Sequence, residues 1–341
     1  MEPFADREYV EVIRRALWCR REFGRAAVMI GAGFSRNADP VRDSAQPLPL
    51  WPDLTRGLVE RLGLPPPNTE ERKAALARAQ ETSRALRLAE EFEAAFGRHQ
   101  LDEWLRGQII DQDHQPGGLH LPLLRLPWAD IFTTNYDTLL ERTAPHIVER
   151  SYDIVRMPQD VAAAMRPRII KLHGSLPSNP PFIFTEEDFR TYPRRFAAFM
   201  NLAQQAIMEN VFCLIGFSGD DPNFLYWTGW VRDNLGDSAP PIYVCGLLNL
   251  TNSQRRVLDH RNVTPIDLSP LFPRSKVADD KLRHRLAIEW FLLSLERGRP
   301  PDRFSWPLAG PPFTPPSPEM PLDTPPLESP YPQPQPEPWY P

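Results

Sequence analysis

Four stretches of this chain share one pattern, in which a short apolar run ends abruptly at a polar motif. The runs are 26–30, 129–134, 168–172 and 211–215, and glycine, asparagine or histidine follows each of them. Apolar runs of this length, separated by helical patterns, are typical of parallel strands that are buried on both faces. Ligands bind at the carboxyl ends of such strands. The pattern therefore predicts an α/β fold: a Rossmann-like parallel sheet with helices on both faces and a ligand site along one edge.

The first apolar run leads into a glycine turn, Gly31-Ala32-Gly33, and Ser35 follows shortly after. Glycine permits a tight turn and a close approach of the backbone to a ligand. Amide groups at the start of a following helix favour a phosphate. Many buried strands that bind nothing also end in Gly-x-Gly. The turn alone is therefore compatible with a phosphate site and with a purely structural role.

The chain has 341 residues, of which 41% are hydrophobic, enough for one large α/β domain with an accessory part. We predict a folded domain over residues 1–299, with a helical insertion at about 53–125. From 300 to 341, 17 of the 42 residues are proline. Such a Pro-rich tail is expected to be extended or disordered, either as a solvated tail or as a peptide that docks on a neighbouring subunit or partner.

Charge and cysteine content exclude several classes of function. The net charge of −5 predicts no direct binding to nucleic acid or to an anionic membrane surface. The three cysteines are scattered without a CxxC pair, so a four-cysteine zinc site is excluded and Cys213 and Cys245 are expected to be buried, inert thiols. No membrane-spanning apolar run or signal peptide is evident, which predicts a cytoplasmic protein.

The polar motifs at the four strand ends carry a family resemblance. They are GAGFS at 31–35, TTNYD at 133–137, KLHGS at 171–175 and GFSGDDPNF at 216–224. In this order and context they resemble the sirtuin-like family of NAD-binding proteins, over roughly residues 25–250. Pro49 and Trp51 also resemble an element of the bacterial branch of that family.

Three departures distinguish this chain from the protein-deacylating sirtuins. The acidic Pro-Asp-Phe-Arg continuation after the glycine loop and the four-cysteine zinc module are both missing. The second motif has Thr-Asn-Tyr-Asp where deacylases have Gln-Asn-Ile-Asp. With these changes the chain resembles the bacterial sirtuin-like NAD hydrolases of anti-phage defence. The resemblance implies that residues 1–299 form an NAD-binding catalytic domain. Its substrate would be NAD⁺, with no metal, and it would cleave the nicotinamide–ribose bond to release nicotinamide and ADP-ribose.

The same resemblance implies a role as an effector that depletes NAD⁺ upon infection and is held inactive by assembly. We expect a homo-oligomer, with a HerA-type hexameric ATPase as the first candidate partner. Whether NAD⁺ is hydrolysed or cyclised stays open. Two alternatives come from other classes of function: a non-catalytic sensor module that binds NAD or ADP-ribose, and, less favoured, an NAD-dependent protein deacylase.

Cleavage of this glycosidic bond needs an oriented water and a proton acceptor. Positive charge builds on the ribose, and nicotinamide is already a cationic leaving group, so a strong general acid is not required. Asn135 is the candidate that positions the water or the ribose hydroxyls. His173 titrates near neutrality and is the candidate general base. The structural alternatives are that Asn135 caps the following helix and that His173 is a satisfied core histidine.

The remaining motif residues are candidates for binding NAD⁺. The glycine turn is expected to hold the phosphates through backbone amides, and acidic groups are expected to bind ribose hydroxyls. Asp137 could instead be a helix-start acid, Ser218 a turn or cap residue, and either Asp220 or Asp221 could contact the ribose. The predicted NAD-binding residues are Gly31, Ala32, Gly33, Ser35, Asp137, Gly216, Ser218 and Asp221.

Overall fold

A seven-stranded parallel sheet forms the centre of the protein. The computed structural model describes residues 4–20, 23–63, 70, 82–177, 181–217 and 221–297. The strands are β1 Ala26–Ile30, β2 Asp39–Pro40, β3 His114–Gln115, β4 Asp130–Thr133, β5 Asp153–Val155, β6 Arg168–Lys171, β7 Val211–Ile215, β8 Ile242–Gly246 and β9 Val263–Asp267. The sheet order is β5-β6-β4-β1-β7-β8-β9, and every neighbouring pair is parallel.

The first strand lies in the middle of the sheet. All five residues of β1 are buried, which explains why its sequence is apolar without alternation. The chain passes to β4, β5 and β6 on one side of β1 and to β7, β8 and β9 on the other. The order therefore reverses between β1 and β7, and such a switch point opens a crevice at the carboxyl ends of the strands. The Rossmann-like parallel sheet predicted from the sequence is confirmed.

Helices cover both faces of this sheet. The helices are α1 Arg7–Leu17, α2 Ala32–Ser35, α3 Trp51–Arg61, α4 Thr82–Phe96, α5 Arg98–Gln108, α6 His120–Arg125, α7 Leu139–Thr143, α8 Glu186–Arg195, α9 Ala197–Glu209, α10 Pro222–Leu235, α11 Asn252–His260 and α12 Asp280–Arg297. On one face, buried side chains of α1, α6 and α12 pack in one hydrophobic cluster with the sheet. On the other face, α8, α9 and α10 contribute to a second cluster.

Short 3-10 helices and one small ribbon complete the connections. The 3-10 helices are Asp111–Asp113, Ala144–His146, Pro158–Ala162 and Gly236–Ser238. The two-residue strands β2 and β3 pair antiparallel outside the main sheet. Within the described ranges, no helix is both long enough and apolar enough to cross a bilayer.

The segment between β1 and β4 contains a group of helices with a core of its own. Leu54 and Leu58 of α3, Phe92 of α4, and Leu101 and Leu105 of α5 are buried in this third cluster. Phe182 and Phe184, which precede α8, belong to the same cluster, so the helical group rests on the loop after β6. The tail at 300–341 lies outside the described residues.

Hydrogen bonds of one arginine, Arg98, connect the helical group to the main domain. Arg98, the first residue of α5, donates to both carboxylate oxygens of Asp188 at 2.9 and 3.1 Å and to Asp102 at 3.0 Å. Asp188 in turn accepts from the amides of Phe184 and Thr185, while the Thr185 hydroxyl accepts from the Asp188 amide. This reciprocal cap fixes the start of α8.

Candidate functional site

The four motif-bearing strands are neighbours in the sheet, and their carboxyl ends are aligned. Ile30 at the end of β1 pairs with Thr133 of β4 on one side and Ile215 of β7 on the other. Thr133 pairs in turn with Lys171 of β6. The polar motifs that follow these strands therefore lie side by side at one edge of the sheet.

The two glycine turns at this edge pack backbone against backbone. The Gly31 amide donates to the Ile215 carbonyl at 3.1 Å, and the Gly33 amide donates to the Gly216 carbonyl at 2.9 Å. A Cβ on Gly31 would lie 2.4 Å from the Gly216 oxygen. Gly216 has a φ of +63°, and a Cβ there would lie 2.2 Å from the Phe34 nitrogen. Both turns therefore require glycine for close approach.

These hydrogen bonds change what the first glycine turn can offer a ligand. The sequence suggested that all three turn residues hold phosphate through their amides. Because the amides of Gly31 and Gly33 are donated to carbonyls of β7 and its turn, a phosphate would compete with bonds inside the protein. The helix that follows, α2, has only four residues. Binding of NAD⁺ by Gly31, Ala32, Gly33 and Gly216 stays a prediction, supported by their position in the cavity wall.

Ser35 joins two of the predicted site residues in a chain of hydrogen bonds. Its hydroxyl donates to Asp137 Oδ2 at 2.8 Å and accepts from Asn135 Nδ2 at 2.9 Å. All three side chains are buried. Asp137 accepts at this oxygen, so the Ser35 proton points to it and the Ser35 lone pair is left for an N–H donor. The chain thereby fixes the orientation of the Asn135 amide.

Asn135 and Asp137 each had an alternative role at the start of the following helix, and the structure supports that role for Asp137 only. Asp137 Oδ1 accepts from the Leu139 amide at 3.2 Å, so Asp137 does serve the start of α7. It nevertheless uses its second oxygen for Ser35. Asn135 does not cap α7: the N-cap position of that helix is Thr138, and the Asn135 side chain is bonded through Nδ2 to Ser35, while its backbone amide donates to Thr133 Oγ1.

His173 is enclosed at the end of β6. It is 1% exposed, and the rings of Phe189 and Tyr192 approach it edge-on at 5.3 and 6.0 Å between centroids. Its Nε2 lies 3.4 Å from Asn223 Nδ2 and 3.8 Å from Asp221 Oδ2. Burial lowers the pKa of His173 below its ordinary value, and the carboxylates of Asp221 and Asp188 oppose this shift only in part. The imidazole is therefore neutral at physiological pH and can accept a proton.

Asp221 is the N-cap of α10. Its Oδ1 accepts from the Phe224 amide at 3.1 Å, while Oδ2 faces His173. Burial raises the pKa of Asp221, and His173 and the amides of Phe224 and Asn223 oppose that shift. Asp221 is therefore both a helix cap and a neighbour of the histidine. Ser218 and Asp220 lie outside the described residues.

A second set of buried charges supports the loop after β4. Lys171 donates from Nζ to the Asp137 carbonyl and lies 3.3 Å from Glu141 Oε1. Ser175 donates to the same Glu141 oxygen at 3.1 Å. Because Lys171 and Ser175 flank His173 in the KLHGS motif, this network holds the loops that carry Asp137 and His173 together. The sequence did not predict a role for Lys171, Glu141 or Ser175.

A cavity of about 370 Å³ opens at this edge of the sheet. The segment between β1 and β4 supplies apolar side chains to its lining, among them Leu50, Trp51 and Leu86, and Trp51 stacks on Phe184 at 5.2 Å. Its volume falls in the range of small-molecule sites. The predicted residues in the lining are Gly31, Ala32, Gly33, Ser35, Asn135, Asp137, His173, Gly216 and Asp221.

Within the described part of the chain, no group of three or more histidine, cysteine or acidic side chains is arranged to hold a metal ion. Cys213 and Cys245 are free and buried, and burial raises the pKa of both thiols. They are therefore unreactive core side chains, as their position in apolar runs suggested.

Comparison with known proteins agrees with the motifs at this edge. Residues 129–266 match the SIR2-like domain family. The chain contains a SIR2-like domain. The matched residues run from the start of β4 almost to the end of β9. Because β1 lies between β4 and β7, the sheet of the SIR2-like domain is completed by residues that precede the match.

Three curated proteins share this region. The chain is 28% identical over 142 residues to NAD(+) hydrolase ThsA of Acinetobacter baumannii, covering 40% of this chain and 28% of that protein. It is 27% identical over 133 residues to Defense-associated sirtuin 2 of Bacillus subtilis, covering 38% and 13%. It is 25% identical over 136 residues to ThsA of Bacillus cereus, covering 39% and 27%. The chain thus matches at most 28% of the length of these relatives.

Asn223 is a polar neighbour of His173 that was not predicted from the sequence. It is 4% exposed, and its side chain lies within hydrogen-bond distance of the imidazole. Its position inside the GFSGDDPNF motif was a usable signal, because the first turn of a helix after a strand faces the same edge as the strand ends.

Proposed function

We propose that this chain is an NAD⁺ hydrolase that cleaves the nicotinamide–ribose bond. The observation that carries the proposal is the meeting of Asn135 and His173 in the lining of one cavity within a SIR2-like domain. Two of the similar proteins are named NAD(+) hydrolase, which supports the same substrate. The proposal assigns NAD⁺ the role of substrate, with no metal in the reaction.

The side chains at this site suit a hydrolysis that passes through a cationic ribose. The bond between ribose C1′ and the nicotinamide nitrogen breaks with its electron pair staying on nicotinamide, which leaves as a neutral molecule. The oxygen of water joins C1′ and loses a proton. His173 receives that proton, since burial keeps the imidazole neutral. The Asp221 carboxylate, 3.8 Å from Nε2, then stabilises the imidazolium.

Asn135 has the positioning role in this proposal. Because Ser35 takes one N–H of the Asn135 amide, the carbonyl end of that amide is directed away from Ser35. A carbonyl oxygen held in this way accepts a hydrogen bond from water or from a ribose hydroxyl. A fixed acceptor lowers the entropy cost of orienting the attacking water. Ser35 and Asp137 act through Asn135 and keep the amide in one orientation.

The direct experiment follows nicotinamide and ADP-ribose by chromatography after the purified full-length chain is incubated with NAD⁺. The proposal predicts equal amounts of both products. Cyclic ADP-ribose in place of ADP-ribose would show cyclisation. Binding of NAD⁺ without nicotinamide release would favour the sensor module, and release that depends on an acyl-lysine peptide would favour the deacylase. Unchanged NAD⁺ with no binding would overturn the proposal.

We further propose that the hydrolase acts in anti-phage defence and is regulated by assembly. One similar protein is named Defense-associated sirtuin 2, which supports the defence role. A homo-oligomer is the first assembly to test, and a HerA-type hexameric ATPase is the first candidate partner. Mass photometry of the chain alone and after co-expression with such an ATPase tests both. Truncation after Gly298 tests whether residues 299–341 contribute to assembly, since an unchanged mass would indicate that they do not.

A further inference from the structure

The first turn of α10 faces the imidazole of His173 with two different polar groups. Asp221 Oδ2 lies 3.8 Å from Nε2, beyond hydrogen-bond distance, whereas Asn223 Nδ2 lies 3.4 Å away, within it. Asn223 is 4% exposed, so this contact is shielded from bulk solvent. Edge-on contacts from Phe189 and Tyr192 border the ring. The neutral amide is therefore the closer of the two groups.

Asn223 and Asp221 favour different protonation states of Nε2. An amide N–H donates to a nitrogen that carries a lone pair, so the Asn223 contact requires the proton on Nδ1. The Asp221 carboxylate only accepts, so it favours a proton on Nε2. Among the residues that the structure describes, the other charged or titratable groups facing the ring are Asp188 and Tyr192, both of α8. Removal of the Asn223 amide would leave the carboxylates to decide the tautomer.

We propose that Asn223 is a positioning residue for His173: its amide holds the neutral ring with the proton on Nδ1 and the lone pair on Nε2. When Nε2 is protonated, the side-chain amide of Asn223 flips so that its oxygen accepts a hydrogen bond from Nε2–H. The Asp221 carboxylate then compensates the positive charge of the imidazolium. A neutral group at position 223 thus lets His173 alternate between its two states. A carboxylate there would favour the protonated form. This inference deepens the proposed function and rests on it only for the kinetic readout.

The first test is NMR of the full-length chain with ¹⁵N-labelled histidine. His173 is assigned by comparison with His173→Ala. The wild type should show the Nδ1–H tautomer at neutral pH. Asn223→Ala should shift His173 to the Nε2–H tautomer, whereas Asn234→Ala, on the exposed end of the same helix, should not. An Nε2–H tautomer in the wild type, or no change in Asn223→Ala, would overturn the inference.

The second test uses Asn223→Asp, which keeps the size of the side chain and so is the safer variant for folding. It should tighten proton binding by His173 about tenfold, because a carboxylate replaces the amide at hydrogen-bond distance. If the chain hydrolyses NAD⁺, the acid limb of the pH–rate profile should move to higher pH by about one unit, which is the same tenfold change in proton binding. Asn234→Asp adds the same charge far from the ring and should leave both unchanged.

The two readouts separate the two claims. A tautomer change in Asn223→Ala with no nicotinamide release from any form would retain the role of Asn223 and refute the hydrolase. Nicotinamide release with identical titration of His173 in Asn223→Asp and Asn234→Asp would retain the hydrolase and refute the role of Asn223.

Discussion

Gly216→Ala tests the packing of the two turns that form the floor of the site. Residue 216 has a φ of +63°, a conformation that costs a residue with a side chain about 1–3 kcal/mol. The added Cβ would also lie 2.2 Å from the Phe34 nitrogen and 2.8 Å from the Gly33 carbonyl carbon. Because these are backbone atoms, the turns must separate. The hydrogen bond from the Gly33 amide, worth about 1 kcal/mol, is then lost.

The summed cost is about 2–4 kcal/mol of unfolding free energy, with a fall in Tm of roughly 3–6 °C for a domain of about 300 residues. Two matched substitutions separate the causes. Gly236 also has a positive φ, of +53°, but nothing lies within 4 Å of an added Cβ, so Gly236→Ala measures the backbone cost alone. Gly229 lies inside α10 with open space around it, so Gly229→Ala should be neutral or stabilising by up to about 1 kcal/mol.

Urea unfolding of the three variants should rank them in stability as Gly229→Ala, then Gly236→Ala, then Gly216→Ala. Equal losses in Gly216→Ala and Gly236→Ala would mean that the turns do not touch as described. A Gly216→Ala variant as stable as the wild type would refute both the strained φ and the contact.

Three further predictions concern buried polar groups. Asp130→Asn should lower the free energy of unfolding by about 3–5 kcal/mol in urea titrations, because Arg168 is nearly buried and loses the carboxylate that lies 2.8 Å from it. The control Glu91→Gln removes one member of an exposed ion pair with Arg87 and should cost less than about 1 kcal/mol. Ser35→Ala should lower the free energy of unfolding by about 1–3 kcal/mol. Because the Asn135 amide is then no longer held in one orientation, the rate of nicotinamide release should fall about 10²-fold with a smaller change in KM. An unaltered kcat would contradict the orienting role of Ser35. Burial lowers the pKa of His120 to about 4, so the unfolded chain binds a proton near pH 6.5 that the folded chain does not bind, and His120 should contribute about 2 kcal/mol to the fall in unfolding free energy between pH 7 and pH 5. His120→Asn, whose oxygen can replace Nδ1 as acceptor for the Gly117 amide, should remove this contribution and leave those of His173 and His284, and a slope equal to that of the wild type would exclude a contribution from His120.

Much of the sheet and the position of the site could be predicted from the sequence. The strands carry continuous apolar runs because both faces of the sheet are covered, and this pattern is visible without coordinates. The motifs end those runs, so their meeting at one edge follows from parallel pairing. The resemblance to the sirtuin-like family, drawn from the same motifs, is confirmed by the match of residues 129–266.

Other features depend on contacts that a sequence does not display. The helix α12 was not predicted, although its apolar side chains complete the core on the face that α1 also covers. The amides of Gly31 and Gly33 are donated across to β7, a detail that depends on which strand lies beside β1. Asn223 becomes a neighbour of His173 only because α10 begins beside the end of β6.

The most direct test of the central claim is the rate of nicotinamide release by the wild type, Asn135→Ala and His173→Ala under identical conditions, with unfolding curves recorded for each. Removing a general base or a positioning amide should reduce the rate by at least about 10²-fold while the variants remain folded. His99→Ala and Asn234→Ala, which change the same residue types at exposed positions, should retain the wild-type rate. Wild-type release of nicotinamide by either Asn135→Ala or His173→Ala would contradict the account.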